Sequence, residues 1–117
     1  MKTAQELIAE TKARIKEISV REALEQFRAR KDVTFLDVRE QNEVNLGTIP
    51  GAVHIARGSM ETKVEALIPR DAHIVIYCAS GNRSAFAAET LEKMGYKDVQ
   101  SMAGGIKEWA MSGGEVE

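Results

Sequence analysis

Apolar and polar positions along this chain change period from block to block. Val33-Thr34-Phe35-Leu36-Asp37-Val38 is β-branched and largely apolar, which predicts a strand covered on both faces. Ala52 to Ile55 predicts a second, short strand. His73 to Tyr77 predicts a third, the most apolar and therefore central. Asp98 to Met102 predicts a fourth. Between them the pattern turns helical. Glu61 to Ile68 places Val64, Leu67 and Ile68 on one side, and Pro69 stops it. Arg83 to Met94 is rich in alanine (Ala85, Ala87, Ala88) with Phe86 and Leu91 as larger groups, and Gly95 ends it. A last helix runs through Trp109, and Gly113 to Glu117 reads as a frayed tail.

Before residue 30 the pattern suggests a helical hairpin or a bent helix. Thr3-Ala4-Gln5-Glu6 and Ser19-Val20-Arg21-Glu22 both fit a capping box. Leu7, Ile8, Ile15 and Ile18 line one side of the first helix, and Ala23, Leu24 and Phe27 face inward from the second. The first helix either packs on the domain's flank or serves as a dimerisation arm; packing is the expectation, because its stripe is short. Strand and helix then alternate, which predicts an α/β layer fold: a mostly parallel central sheet of about four to five strands, with helices on both faces. Ligands of such folds bind beyond the carboxyl ends of the strands. Three polar loops converge there: Arg39 to Glu43, His54 to Met60, and Cys78 to Arg83.

Length and composition fit one ordinary domain. The chain has 117 residues, 44% apolar and 29% charged, with net charge −2. No basic block recommends nucleic acid or an anionic membrane as partner. The N-terminus lacks a signal peptide's apolar core, and no apolar run approaches membrane-spanning length. One cysteine and two histidines leave a free thiol and make a structural zinc site improbable. A reducing cytoplasm is the expected compartment, since it keeps such a thiol reduced.

That thiol sits where the chain's polar chemistry is densest. Cys78 ends the central strand, Gly81 permits a turn that a β-carbon would resist, and Arg83 and Ser84 open the next helix. A loop wrapped over a helix N-terminus turns several N–H groups inward and suits an anion. With Cys78 at its centre, the anion is the thiolate or whatever the sulfur carries. A helix N-terminus and a nearby arginine lower a thiol pKa from about 8.5 into the range of roughly 3.5–7.5. A cysteine ending a strand is otherwise a buried packing residue.

Cys78-Ala79-Ser80-Gly81-Asn82-Arg83-Ser84 resembles the active-site loop of single-domain rhodaneses. Asp37-Val38-Arg39 resembles that family's first motif. Gly47-Thr48-Ile49-Pro50-Gly51-Ala52 is similar to its Gly-His-Ile-Pro-Gly-Ala signature, with Thr48 in place of the usual histidine. Leu91, Gly95-Tyr96 and Val99 fit the segment after the active helix, and Gly104-Gly105-Ile106 with Trp109 resembles the closing motif. The resemblance runs from about Val20 to Ser112. It implies a rhodanese-like domain over 19–117, preceded by a helical extension over 1–18.

The resemblance further implies a sulfurtransferase working by double displacement. Cys78 would take the outer sulfur of thiosulfate, or of a similar small donor, as a persulfide held by the N–H groups from Ala79 to Ser84. Cyanide, another thiol or a partner protein would then accept it, with no metal or organic cofactor. Among the other residues, Arg57 is placed at the rim, either as a second cation for a donor's sulfonate, which is the expectation, or as a plain surface arginine. Arg83 either faces the substrate, which is the expectation, or is pinned to an acidic neighbour. Asp37 and Arg39 are read as a structural ion pair near the loop, with Glu43 a partner of Arg39. His54 and His73 are read as structural, Trp109 as a core anchor, and Met60 as pocket lining or gap filler.

Two other readings stand beside this one. A related cysteine–arginine phosphatase or arsenate reductase family shares the fold by resemblance. Its loop carries one residue more, and a phosphatase also needs a general acid near the leaving oxygen. Rhodanese-like domains also serve as non-enzymatic regulatory or binding modules, often without the cysteine, and a sulfur carrier between proteins is a further variant.

Overall fold

The computed structural model describes residues 1–29 and 32–117. Its elements are α1 (Ala4–Arg14), β1 (Glu17–Ile18), α2 (Val20–Arg28), β2 (Val33–Asp37), α3 (Gln41–Val44), β3 (Val53–His54), a 3-10 turn (Arg57–Ser59), α4 (Met60–Leu67), β4 (His73–Tyr77), α5 (Asn82–Lys93), β5 (Val99–Met102) and α6 (Gly105–Met111). The sheet has five strands in the order β1-β5-β4-β2-β3, every pairing parallel. This is the predicted α/β architecture, with β4 in the middle.

Side chains alternate along β4 and divide the core in two. Ile74, Ile76 and Cys78 face one layer, with Met60 and Val64 of α4 and Ala87, Ala88 and Leu91 of α5. Val75 and Tyr77 face the other, with Leu24 of α2 and Trp109 of α6. The small residues of α5 are fully buried, so that helix lies close on the sheet. On the opposite face, Phe27, Phe35 and Trp109 meet edge to face with centroids 5.4–5.9 Å apart. Such pairs add about 0.5–1.5 kcal/mol each beyond their area burial.

Both capping boxes form as expected, at Thr3 with Glu6 and at Ser19 with Glu22. The first helix is shorter than expected, however. It stops at Arg14, and Ile18 lies in a strand instead of on the helical stripe. Glu17 and Ile18 pair with Ser101 and Met102, so the N-terminal segment supplies an edge strand. α1 packs against α5, burying Thr11, and Arg14 Nε bonds Glu89 Oε2 at 2.6 Å. The flank-packing alternative is therefore the one observed.

The C-terminal segment is also a correction. Glu117 and Thr48 exchange two backbone hydrogen bonds of 2.9 Å, and the Trp109 indole N–H donates to the Glu115 carbonyl at 2.8 Å. The expected frayed tail is instead tied to the loop that follows α3.

Candidate active site

β4 runs out at Tyr77 and hands the chain to Cys78, whose side chain continues the alternation toward α5. The turn reverses at Gly81, which has φ +104° and precedes α5. That left-handed conformation costs a residue with a β-carbon and costs glycine little. The result aims the loop's amides at the sulfur. Cys78 Sγ accepts from the N–H of Gly81 at 3.1 Å and of Ser84 at 3.4 Å, and the Ser84 hydroxyl lies 3.5 Å away.

A second helix holds the loop from behind. The N–H groups of Ile106 and Lys107, in the first turn of α6, donate to the carbonyls of Cys78 (2.9 Å) and Ala79 (3.2 Å). This approach explains Gly105 and the tightness at Gly81. A β-carbon on Gly105 would lie 2.3 Å from the Ala79 carbonyl oxygen, and one on Gly81 would lie 3.1 Å from the Gly104 nitrogen.

Cys78 is 1% exposed, so the sulfur lies beneath the loop, while Ser80 and Asn82 face solvent. Burial by itself pushes a thiol pKa up. Here the Ser84 hydroxyl and the N–H groups of Ser84, Gly81 and Ser80 outweigh it, and the net shift is downward. The thiolate is stabilised by directed donors rather than by exposure to water.

The cations are arranged differently from the sequence reading. Arg83 forks onto Glu43, with both nitrogen–oxygen distances 2.9 Å, so α3 and α5 are joined across the loop's edge. The pair is partly exposed, at 38% and 30%. Glu43 thus partners Arg83 through its carboxylate and meets Arg39 only through its backbone carbonyl, at 3.3 Å. The Arg83 guanidinium pulls the Glu43 carboxyl below its ordinary value.

Asp37 and Arg39 form the expected structural pair, buried at 0% and 7%. Arg39 Nη2 lies 2.7 Å from Asp37 Oδ2 and 2.6 Å from the Gly47 carbonyl, which fixes the Gly47–Gly51 loop to the end of β2. Beside that pair, burial and the Asp37 charge push the Tyr77 phenol far up, and its oxygen accepts from the Ile49 N–H at 3.1 Å. His54 Nε2 meets the Arg39 carbonyl at 2.7 Å, a structural role. Met60 is fully buried and fills the core.

Arg57 does not join the loop. Its guanidinium bonds Glu61 Oε1 at 2.9 Å and Thr90 Oγ1 at 3.1 Å, tying the 3-10 turn to α4 and to the body of α5. His73 lies at the other end of β4, against Gln26 and Asp98, and lines a cleft of about 400 Å³ with Asp32, Thr34 and Asp71. Ser101 also reaches this site. Its hydroxyl donates to Ser84 Oγ at 2.9 Å, and no local pattern in the strand sequence marks it. Among the described residues, no cluster of histidine, cysteine, aspartate or glutamate is placed to hold a metal ion.

Comparison with known proteins identifies the family to which this sequence and fold belong. Residues 19–112 match the model of the rhodanese-like domain, and the chain belongs to that family. YtwF of Bacillus subtilis, named as a candidate sulfurtransferase, is 40% identical over 95 residues, covering 81% of this chain and 90% of its own length. The thiosulfate sulfurtransferase GlpE of Pseudoalteromonas translucida is 35% identical, covering 80% and 88%. YrkF of Bacillus subtilis, named as a candidate sulfur carrier protein, is 37% identical over 86% of this chain, which spans only 54% of it.

Among solved structures, a Rhodopseudomonas palustris protein described as of unknown function and a candidate tyrosine phosphatase superimposes with TM-score 0.90. It is 30% identical, covering all of this chain and 96% of its own. A rhodanese-related protein of Thermoplasma volcanium gives 0.78 at 32% identity, covering 87% and 97%.

Proposed function

We propose that this domain moves sulfane sulfur through a persulfide on Cys78. The observation that carries the reading is the convergence of the Gly81 and Ser84 N–H groups on Cys78 Sγ. Donors fixed in place around a buried anion stabilise it without reorganisation. In the first half-reaction the thiolate attacks the outer sulfur of thiosulfate. The new S–S bond forms on Cys78, the donor's S–S bond breaks, and sulfite leaves with the electron pair. In the second, cyanide or a thiolate attacks the outer sulfur, and the Cys78 thiolate leaves as the original nucleophile. No net oxidation occurs and no cofactor is called for.

Ala79, Ser80, Gly81, Asn82, Arg83 and Ser84 form the cradle for the added sulfur. Arg83 contributes its charge from the loop's edge while held by Glu43. Asp37 and Arg39 support the site from the end of β2, and Arg57 contributes through the 3-10 turn it braces. A cytoplasmic setting, where the thiol stays reduced, suits this chemistry. The acceptor is a small thiol, cyanide or a protein thiol; the likeness to YrkF and to named sulfurtransferases supports either a transferase or a carrier role.

A phosphatase is the competing reading, raised by the description of one structural relative. The spacing from Cys78 to Arg83 disfavours it, because the wider loop of the phosphatases holds a tetrahedral oxyanion. The experiment is a parallel assay of thiocyanate formation from thiosulfate and cyanide, and of aryl phosphate hydrolysis, with Cys78→Ala as control. Cys78-dependent thiocyanate without phosphate release is expected. Cys78-dependent phosphate release without thiocyanate would overturn the proposal.

A further inference from the structure

Ser101 is a polar residue on an apolar face. In β5 it pairs with Ile76 of β4, two residues before Cys78, and with Glu17 of β1. Val99, on the same face by strand alternation, belongs to the core layer that contains Cys78. Ser101 is 0% exposed, as is Ser84. A buried hydroxyl needs a partner, and the one its side chain has among the described residues is Ser84 Oγ, at 2.9 Å. Ser84 Oγ in turn lies 3.5 Å from Cys78 Sγ.

The order of donors along this chain matters. Ser101 donates to Ser84, which occupies an acceptor position on Ser84 Oγ and polarises its O–H bond. The neutral thiol would donate to Ser84 Oγ, but the thiolate has no proton to give, so the Ser84 proton is then directed to the sulfur. Without Ser101, a serine in the first turn of a helix has a competing choice: the carbonyl of the residue four earlier, here Ser80.

We infer that Ser101 is a positioning residue for the reaction, acting through Ser84 to aim that hydroxyl's proton at the Cys78 thiolate. The inference rests on the reading of Cys78 as the nucleophile. Other charges near this line are already engaged: Arg83 with Glu43, Asp37 with Arg39, Arg57 with Glu61, and Glu17, which neighbours Ser101 across the sheet, with Lys12. Lys107 and Glu108 of α6 face solvent.

The test is the ionisation of Cys78 in the absence of any substrate, so its outcome is separable from that of sulfur transfer. The chain holds one cysteine, and the ultraviolet absorbance of the thiolate, blanked with Cys78→Ala, reports it alone. Ser101→Ala should raise the titration midpoint by about half a pH unit, and Ser101→Thr, which keeps the hydroxyl, should restore it. In a Ser84→Ala background, Ser101→Ala should produce no further shift, because the intermediary is gone. This double variant decides the matter even where threonine fits poorly. An unchanged midpoint in Ser101→Ala, or a shift of the same size with and without Ser84, would overturn the inference.

Discussion

Gly105 presses against the back of the Cys78 loop so closely that a β-carbon on it would lie 2.3 Å from the carbonyl oxygen of Ala79. That carbonyl is itself held by the Lys107 N–H, and Gly105 has φ +62°. The loop cannot retreat without losing the bonds that tie it to α6. Gly105→Ala should therefore destabilise the fold by at least about 2 kcal/mol and displace the amides that face the sulfur. Thermal melting and single-turnover sulfur loading should both show the loss. A variant with normal stability and normal loading would mean that α6 is not what shapes the loop.

Arg39 is the second structural dependency. It is buried, forked onto Asp37, and spans to the Gly47 carbonyl. Removing it leaves the Asp37 carboxylate buried without its counter-charge. Arg39→Ala should cost about 3–5 kcal/mol, measured by denaturant unfolding. Arg39→Lys should recover only part of this, because an ammonium cannot reproduce the fork. Full recovery by lysine would show that charge alone suffices.

The two rim arginines should behave differently. Arg83 stands at the loop's edge, held by Glu43; Arg57 is engaged with Glu61 and Thr90. Glu43→Gln removes the carboxylate that offsets Arg83 and should lower the KM for thiosulfate, a dianion, by about two- to fivefold at low salt. Arg83→Ala should raise it by a similar factor. Arg57→Ala should change it by less than about twofold. A larger effect at Arg57 than at Arg83 would return Arg57 to the substrate's side of the loop.

The pH dependence follows from the depressed thiol. Burial raises the Cys78 pKa, but the Ser84 hydroxyl and the loop amides lower it further, so the thiolate persists below the ordinary thiol value of about 8.5. The rate of sulfur loading should be flat above the folded-state midpoint and fall about tenfold per pH unit below it. Stability has the same sign. A depressed pKa contributes stability fully above the unfolded value, and that contribution is lost as pH falls through the folded value. The stability difference between the native chain and Cys78→Ala should accordingly shrink on acidification. A loading midpoint at or above about 8.5 would contradict the role given to the amides.

Much of this was legible in the sequence, and the limits have physical causes. The alternation of strands and helices after β2 follows from local periodicity, and the loop from Cys78 to Ser84 is written as consecutive residues. β1 was not legible: Glu17 and Ile18 are too short to show a period of two, and Ile18 continues the spacing of the helix before it. The C-terminal segment looks unanchored because its partners, Thr48 and Trp109, are distant or carry no local signal. Glu43 meets Arg83 across 40 positions, and Ser101 meets Ser84 across 17. Pairings of that range are made by the parallel sheet, which brings the ends of non-adjacent strands to one edge.

The most direct measurement is the intact mass of the protein after exposure to thiosulfate, followed by removal of small molecules under non-reducing conditions. The native chain should gain the mass of one sulfur atom, located by fragmentation on Cys78, and lose it on addition of cyanide. Cys78→Ala should gain nothing. A native chain that is correctly folded, with Cys78 ionised, yet takes up no sulfur from thiosulfate or from a small alkyl persulfide would contradict the proposal that this loop carries sulfane sulfur.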